Sequence, residues 1–160
     1  MKFDEKVFTH STLEEGYDFF ITDKWKKRRH FKISTFPCPN GLLSEAIEVV
    51  ENEKNEPYEF VTLFPFDTDI EYAELQLKAK IKRGINKRYL SKTTPDGSMT
   101  LGKKNELVGR IAWNDDPDGP DDTMTLVVDG KIITKDTFWR LLSQYEGWIF
   151  KLKIVDRTEE

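Results

Sequence analysis

The dipeptide Asp129-Gly130 constrains this chain more than any other feature. It lies between the apolar run 123–128 and Ile132-Ile133, and it matches a two-residue hairpin turn, whose positions both need positive φ. Around it, residues 108–155 (VGRIAWNDDPDGPDDTMTLVVDGKIITKDTFWRLLSQYEGWIFKLKIV) read as strand, acidic loop, strand, tight turn, helix and closing strand. Leu107, Gly109, Ile111 and Trp113 alternate into the first strand, and Met124, Leu126 and Val128 share one face of the second. Thr134 is a helix N-cap with Asp136 in the first turn. Phe138, Leu141, Leu142 and Tyr145 then repeat at helical spacing. Gly147 supplies the left-handed residue that stops the helix. Trp148, Phe150, Leu152 and Ile154 alternate with Ile149, Lys151, Lys153 and Val155, which predicts the closing strand.

Upstream, residues 1–15 are polar and irregular and are expected to form a flexible arm. Tyr17, Phe19 and Ile21 alternate into a first strand. A polar turn over 23–29 leads to a second at 30–36, which Pro37, Pro39, Asn40 and Gly41 end. Residues 42–50 fit a strand or a helical face, and the β-branched cluster Ile47, Val49 and Val50 favours the strand. Residues 58–64 alternate as a fourth strand. Asp67 or Thr68 then caps a helix whose stripe is Ile70, Ala73, Leu77, Ile81 and Ile85. The sequence thus predicts an α+β fold in the order β-β-β-β-α-β-β-α-β. It is read as one domain over 16–156 with a solvent tail at 157–160. Short connections imply a mostly antiparallel sheet with both helices packed on one face.

Twenty aromatic side chains among 160 residues supply a core without help from a disulfide or a metal. The lone Cys38 cannot form an internal bridge, which fits a reducing cytoplasm. The N-terminal residues have no apolar core of a secretory signal, and no run is long enough to span a membrane. The net charge of −4 argues against a dedicated nucleic-acid binder without excluding a local basic patch.

The stretches GRIAWNDD (109–116), VVDGKIIT (127–134) and above all YEGWIFKLKIVDRTEE (145–160) resemble a family of uncharacterised bacterial proteins. The likeness extends upstream through GYDFFI, the strand near 58–64 and KIKRGINKRYL (80–90), covering most of the chain beyond Gly16. The family is a domain of unknown function. The resemblance therefore implies a bacterial, cytoplasmic setting and carries over no catalytic or binding residue.

Four features invite a functional reading. The acidic loop from Asn114 to Gly119 opens like a calcium loop, but Thr125 stands where the bidentate Glu belongs, and an Asx-rich turn explains it as well. No metal is therefore assigned. The basic turn Lys24, Lys26, Lys27, Arg28 and Arg29, with Trp25 inside it, and the helix half from Lys78 to Arg88 are candidates for phosphate contact. The residues named for nucleic acid are Lys26, Arg28, Arg29, Lys82, Arg83, Lys87 and Arg88. A solvated turn and helix face is the competing reading. Cys38 with His10 or His30 lacks metal-ligand spacing, and a small thiol beside a proline turn accounts for it. Trp139 lies off the apolar stripe of its helix and is the candidate protein contact, whereas Trp148 reads as packing.

Phosphate-cradling glycine motifs, a nucleophile elbow, CxxC and HExxH are all absent, so no catalytic or cofactor-binding residue is named. The leading expectation is a non-enzymatic module that binds another protein or itself. Acidic segments (Glu45 to Glu59, Asp115 to Asp122) and basic ones (Lys24 to Arg29, Lys78 to Arg88) could pair between copies, including as a homodimer. Nucleic-acid binding through the basic face is the alternative. An enzyme with a through-space site comes third.

Overall fold

The computed structural model describes residues 16–51, 56–91, 99–113 and 124–159. The N-terminal arm and the acidic loop at 114–122 lie outside these residues. The fold is α+β and divides into two compact units, the first ending its main part at Asn86 and taking in the C-terminal residues from Lys153, the second running from Lys87 to Leu152. The expected single domain at 16–156 thus contains two separate sheets, each with its own helix.

The first unit is an antiparallel sheet of β1 (Tyr17–Thr22), β2 (Arg28–Cys38), β3 (Gly41–Glu48) and β4 (Glu59–Phe64), paired in chain order. The strand favoured for residues 42–50 forms and ends at Glu48, so that Val49 and Val50 lie beyond it. Helix α1 (Ile70–Ile85) lies against this sheet. Its buried Leu77, Ile81 and Ile85 join Phe31, Ile33 and Ala46 in the fully buried centre, while Ala73 packs with Leu42, Phe64 and Ile70. Asp69 caps the helix, one or two residues beyond the expected Asp67 or Thr68, with its carboxylate accepting from the Glu71 N–H at 3.4 Å.

Register places Thr35 opposite Ser44 and Ser44 opposite Thr62 in one row of the helix-facing side. Ser44 and Thr35 share a hydrogen bond of 2.9 Å, and Thr35 donates to Glu74 of α1 at 2.8 Å. Tyr17 donates to the other Glu74 oxygen at 2.7 Å. Burial and the Glu74 carboxylate hold the Tyr17 phenol well above the usual tyrosine range. Thr62 Oγ1 ends the row, buried and without a hydrogen-bond partner. An unmatched buried hydroxyl costs more than the methyl that could replace it. Thr62→Val is therefore expected to raise stability by about 1 kcal/mol, read as a higher denaturant midpoint at unchanged slope.

The second unit is a three-stranded antiparallel sheet of β5 (Arg110–Trp113), β6 (Met124–Val128) and β7 (Lys131–Ile133), followed by α2 (Lys135–Ser143). Asp129 (φ 54°) and Gly130 (φ 74°) form the turn with the positive φ values the dipeptide implied. Thr134 caps α2, accepting from the Thr137 N–H at 3.3 Å, and Leu141 is its buried residue. Gly147 has φ 87° but lies beyond the helix, which ends at Ser143.

Asp129 has a further role. Its carboxylate accepts from the Tyr89 N–H at 3.1 Å and the Leu90 N–H at 2.9 Å. Asp129→Ala removes these charge-assisted bonds and places a β-carbon residue at positive φ without side-chain compensation. It is expected to cost about 2–3 kcal/mol. Faster hydrogen exchange at the Tyr89 and Leu90 amides would report it locally.

Two parts of the predicted order change. The second arm of the hairpin, Lys131–Ile133, is a strand in its own right. The closing strand is not formed: residues 148–156 are in neither helix nor strand and pair with no described strand. Alternation makes a segment compatible with a pleated backbone, but a strand also needs an edge to pair with. The observed order is β-β-β-β-α-β-β-β-α.

Candidate functional site

The basic turn owes its shape to Asp23. Its carboxylate accepts from the Trp25 N–H at 2.9 Å and the Lys27 N–H at 3.0 Å, while its carbonyl and amide close the loop with Lys26 and Lys27. Lys26 adopts φ 66° at the tip. Asp23 also accepts from Arg29 Nε at 3.2 Å, and Arg29 Nη1 donates to Glu48 at 2.8 Å. The guanidinium lies over the Tyr58 ring at 4.9 Å and is only 6% exposed. Burial works against charge on both Asp23 and Arg29. It is more than offset by the Lys27 amide and Arg29 for the acid, and by Glu48 for the base. The acid is held below the usual carboxylate range and the guanidinium above its own. Arg29 therefore belongs to the interior, and no phosphate reaches it.

The other named cations divide. The Lys24 N–H donates to Asn86 Oδ1 at 2.8 Å, which docks the turn on the cap of α1. The turn with exposed Lys24, Lys26 and Lys27 is thereby brought to the helix end that carries exposed Lys82 and Arg83, whereas Arg28 opens β2 on the sheet face away from α1. Trp25 is half-exposed beneath the Lys24 ammonium. Arg28 stacks over Phe20 at 4.2 Å, and His30 stacks on the same ring at 4.4 Å. Lys78 is drawn over Tyr17 and Phe19, and Lys80 donates to the carbonyls of Val61 (2.7 Å) and Arg157 (2.9 Å). Lys87 and Arg88 are exposed but fall in the second unit.

Cys38 and His30 lie on the same strand eight residues apart, roughly 26 Å at the rise of a β-strand, so they cannot act together. His30 instead meets Asp18 at 2.6 Å. That carboxylate is held below its ordinary range, first by Lys32 and then by His30. His10 lies outside the described residues. Among the described residues, no three His, Cys, Asp or Glu side chains converge in a way that could hold a metal ion. No helix among them is long and apolar enough to cross a membrane.

Trp139 is 72% exposed on α2, where it lines a shallow recess with Lys135, Asp136 and Arg140. The larger apolar surface is one that the sequence assigned to packing. Trp148, Ile149, Phe150, Leu152, Ile154 and Val155 are 41–91% exposed. Tyr145 does meet Trp148 edge-on at 5.6 Å, and its hydroxyl accepts from the Leu101 N–H at 3.1 Å. The rest of the segment is uncovered.

Residues 14–86 match the family model described as Domain of unknown function (DUF7686), and residues 89–159 match that described as Domain of unknown function (DUF7713). Both halves match families of unknown function. The boundary between the DUF7686 and DUF7713 matches falls at the division after Asn86, although the DUF7713 match also takes in residues 153–159, which belong to the first unit. The DUF7686 part holds the four-stranded sheet, α1 and the basic turn. The DUF7713 part holds the three-stranded sheet, α2, Trp139 and the apolar segment. No curated protein and no solved structure matches the chain.

Proposed function

We propose that the chain is a non-enzymatic protein-interaction module, acting in a bacterial cytoplasm, that associates through residues 148–155 with itself or with another protein. The exposure of six large apolar side chains in one short segment carries this reading. Monomeric proteins seldom leave contiguous apolar patches of more than a few hundred Å² open, and larger ones mark interaction sites. Trp139 adds a further exposed aromatic to Trp148 and Phe150 in the second unit. The test is light scattering from micromolar to the highest attainable concentration, combined with affinity capture. A monodisperse monomer that retains no partner defeats the proposal.

A second reading, nucleic-acid binding, is favoured by the docking of the basic turn on the end of α1. Lys26 then stands on the turn docked at the helix end that carries Lys82 and Arg83, with Trp25 available for stacking. Oligonucleotide anisotropy at about 50 and about 200 mM salt tests it. Contact with six or more phosphates predicts on the order of a thousandfold loss of affinity across that range. No binding at the lower salt removes this reading.

A further inference from the structure

We infer that the open face of the β1–β2 hairpin binds single-stranded nucleic acid, its bases stacking on a flat cluster of Phe20, Arg28 and His30. This rests on the nucleic-acid reading above and names its ligand: an unpaired strand, held on the sheet face away from α1.

The hairpin collects positive charge that the chain leaves unanswered. Between Asp18 and Glu45 the sequence holds one acid, Asp23, which is buried and engaged by Arg29 and two backbone amides. Lys24, Lys26, Lys27 and Arg28 are exposed, and among the described residues none of them has a carboxylate partner. Acids outnumber bases by 29 to 25 in the whole chain. Four unanswered cations within five residues are therefore a local feature, of the kind that draws a polyanion.

Flat groups stand beside the charge. Register sets Phe20 opposite His30 and Thr22 opposite Arg28, so all four share the face turned from α1. The His30 ring stacks on Phe20 at 4.4 Å and 16°, and the Arg28 guanidinium lies over the same ring at 4.2 Å. Phe20 is still 47% exposed. Aromatic rings and guanidinium planes are the surfaces on which unstacked bases lie. Because the three groups already rest on one another, little side-chain freedom is left to lose when a base is added. The acids of this face lie toward its other end. Asp18 and Glu59 fall in the row of Lys32 and Ile47, and Glu45 in the row beyond. Asp18 is itself engaged by His30 and Lys32, at 2.6 and 2.8 Å. Strand β3 ends at Glu48, opposite Phe31, and so reaches neither the row of Phe20 nor that of Arg28.

The same geometry favours an unpaired strand over other polyanions. A duplex hides the faces of its bases and offers a sheet surface little but phosphate, so it gains nothing from Phe20. An acidic peptide matches the charge and leaves the flat cluster unused.

The test uses the full chain and a labelled thymidine oligomer of about 12 nucleotides, followed by anisotropy at about 50 mM salt. Competitors are the same oligomer annealed to its complement, inorganic polyphosphate, and polyglutamate of similar length. The variants are Phe20→Leu, which keeps an apolar side chain, and Arg28→Lys, which keeps the charge and removes the plane. Lys82→Gln/Arg83→Gln probes the helix end, and the denaturant midpoint of each variant is recorded. Saturable binding of the single strand is expected, with roughly tenfold or weaker competition by the other three. Phe20→Leu and Arg28→Lys should each bind about tenfold more weakly. If Phe20→Leu does not fold, Arg28→Lys, at an exposed position, decides alone. Wild-type affinity in either folded variant, a duplex or polyphosphate bound as tightly, or a loss confined to Lys82→Gln/Arg83→Gln overturns the flat-cluster site and leaves the nucleic-acid reading in place. Polyglutamate bound as tightly as the oligomer overturns it in favour of an acidic protein segment. No binding of single strand or duplex ends both.

Discussion

Arg29→Ala is expected to destabilise the first unit by about 3–5 kcal/mol, the usual consequence of removing one member of a buried ionic group. The guanidinium is the common partner of Asp23 and Glu48, whose side chains are 0% and 6% exposed. Deleting it leaves two carboxylates with little access to water. Asp23 also shapes the basic turn, so the damage reaches Trp25 and the Lys24–Asn86 contact. A pH dependence follows. The Asp23 pKa is depressed in the folded chain, so its stabilisation is complete above the unfolded value near 3.9 and is lost as pH falls through the folded value below it. Without Arg29 that depression shrinks, and acid unfolding should begin at a higher pH than in the wild type. Denaturant titrations of both proteins across the acid range measure this. Equal acid midpoints would mean that the backbone amides alone hold the Asp23 charge.

Gly41→Ala is expected to cost about 3 kcal/mol or more. The β2–β3 hairpin returns at Gly41 with φ 144°, a region that side-chain-bearing residues rarely enter. A methyl there would stand 2.3 Å from the Phe64 carbonyl oxygen. That oxygen is backbone, and Phe64 is held in register opposite Leu42, so relief requires parting β3 from β4. Gly102→Ala is the control. Its added carbon would meet only the Tyr89 carbonyl at 3.5 Å, so a change within about 0.5 kcal/mol is expected. Comparable losses at both positions would point to a general intolerance of glycine replacement.

Periodicity made much of this fold legible. The α1 stripe was readable because one face is buried along the whole helix, and Asp129-Gly130 because its turn admits few residue types. The cap of α1 was displaced because Asp67, Thr68 and Asp69 offer three similar side chains in a row. Arg29 was hidden among like neighbours, although a signal was present: it has the same parity along β2 as Phe31 and Ile33, which points it at the core. Glu48 likewise has the parity of Ala46. The Asp129 contact with Tyr89 and Leu90 spans about forty residues and had no local signature. Residues 148–155 present a subtler case. Their alternation is plain, but no sequence period states where the matching edge lies, and Trp148 was assigned to packing on that account.

Lys80, which joins the carbonyls of Val61 and Arg157, has a consequence for how chains can meet. Strand β4 terminates the four-stranded sheet, and a bare sheet margin invites neighbours to stack without limit. Here an ammonium group occupies one of its acceptors. An incoming strand would have to strip that charge away and bury it, so this margin turns away the open-ended growth that leads to fibrils.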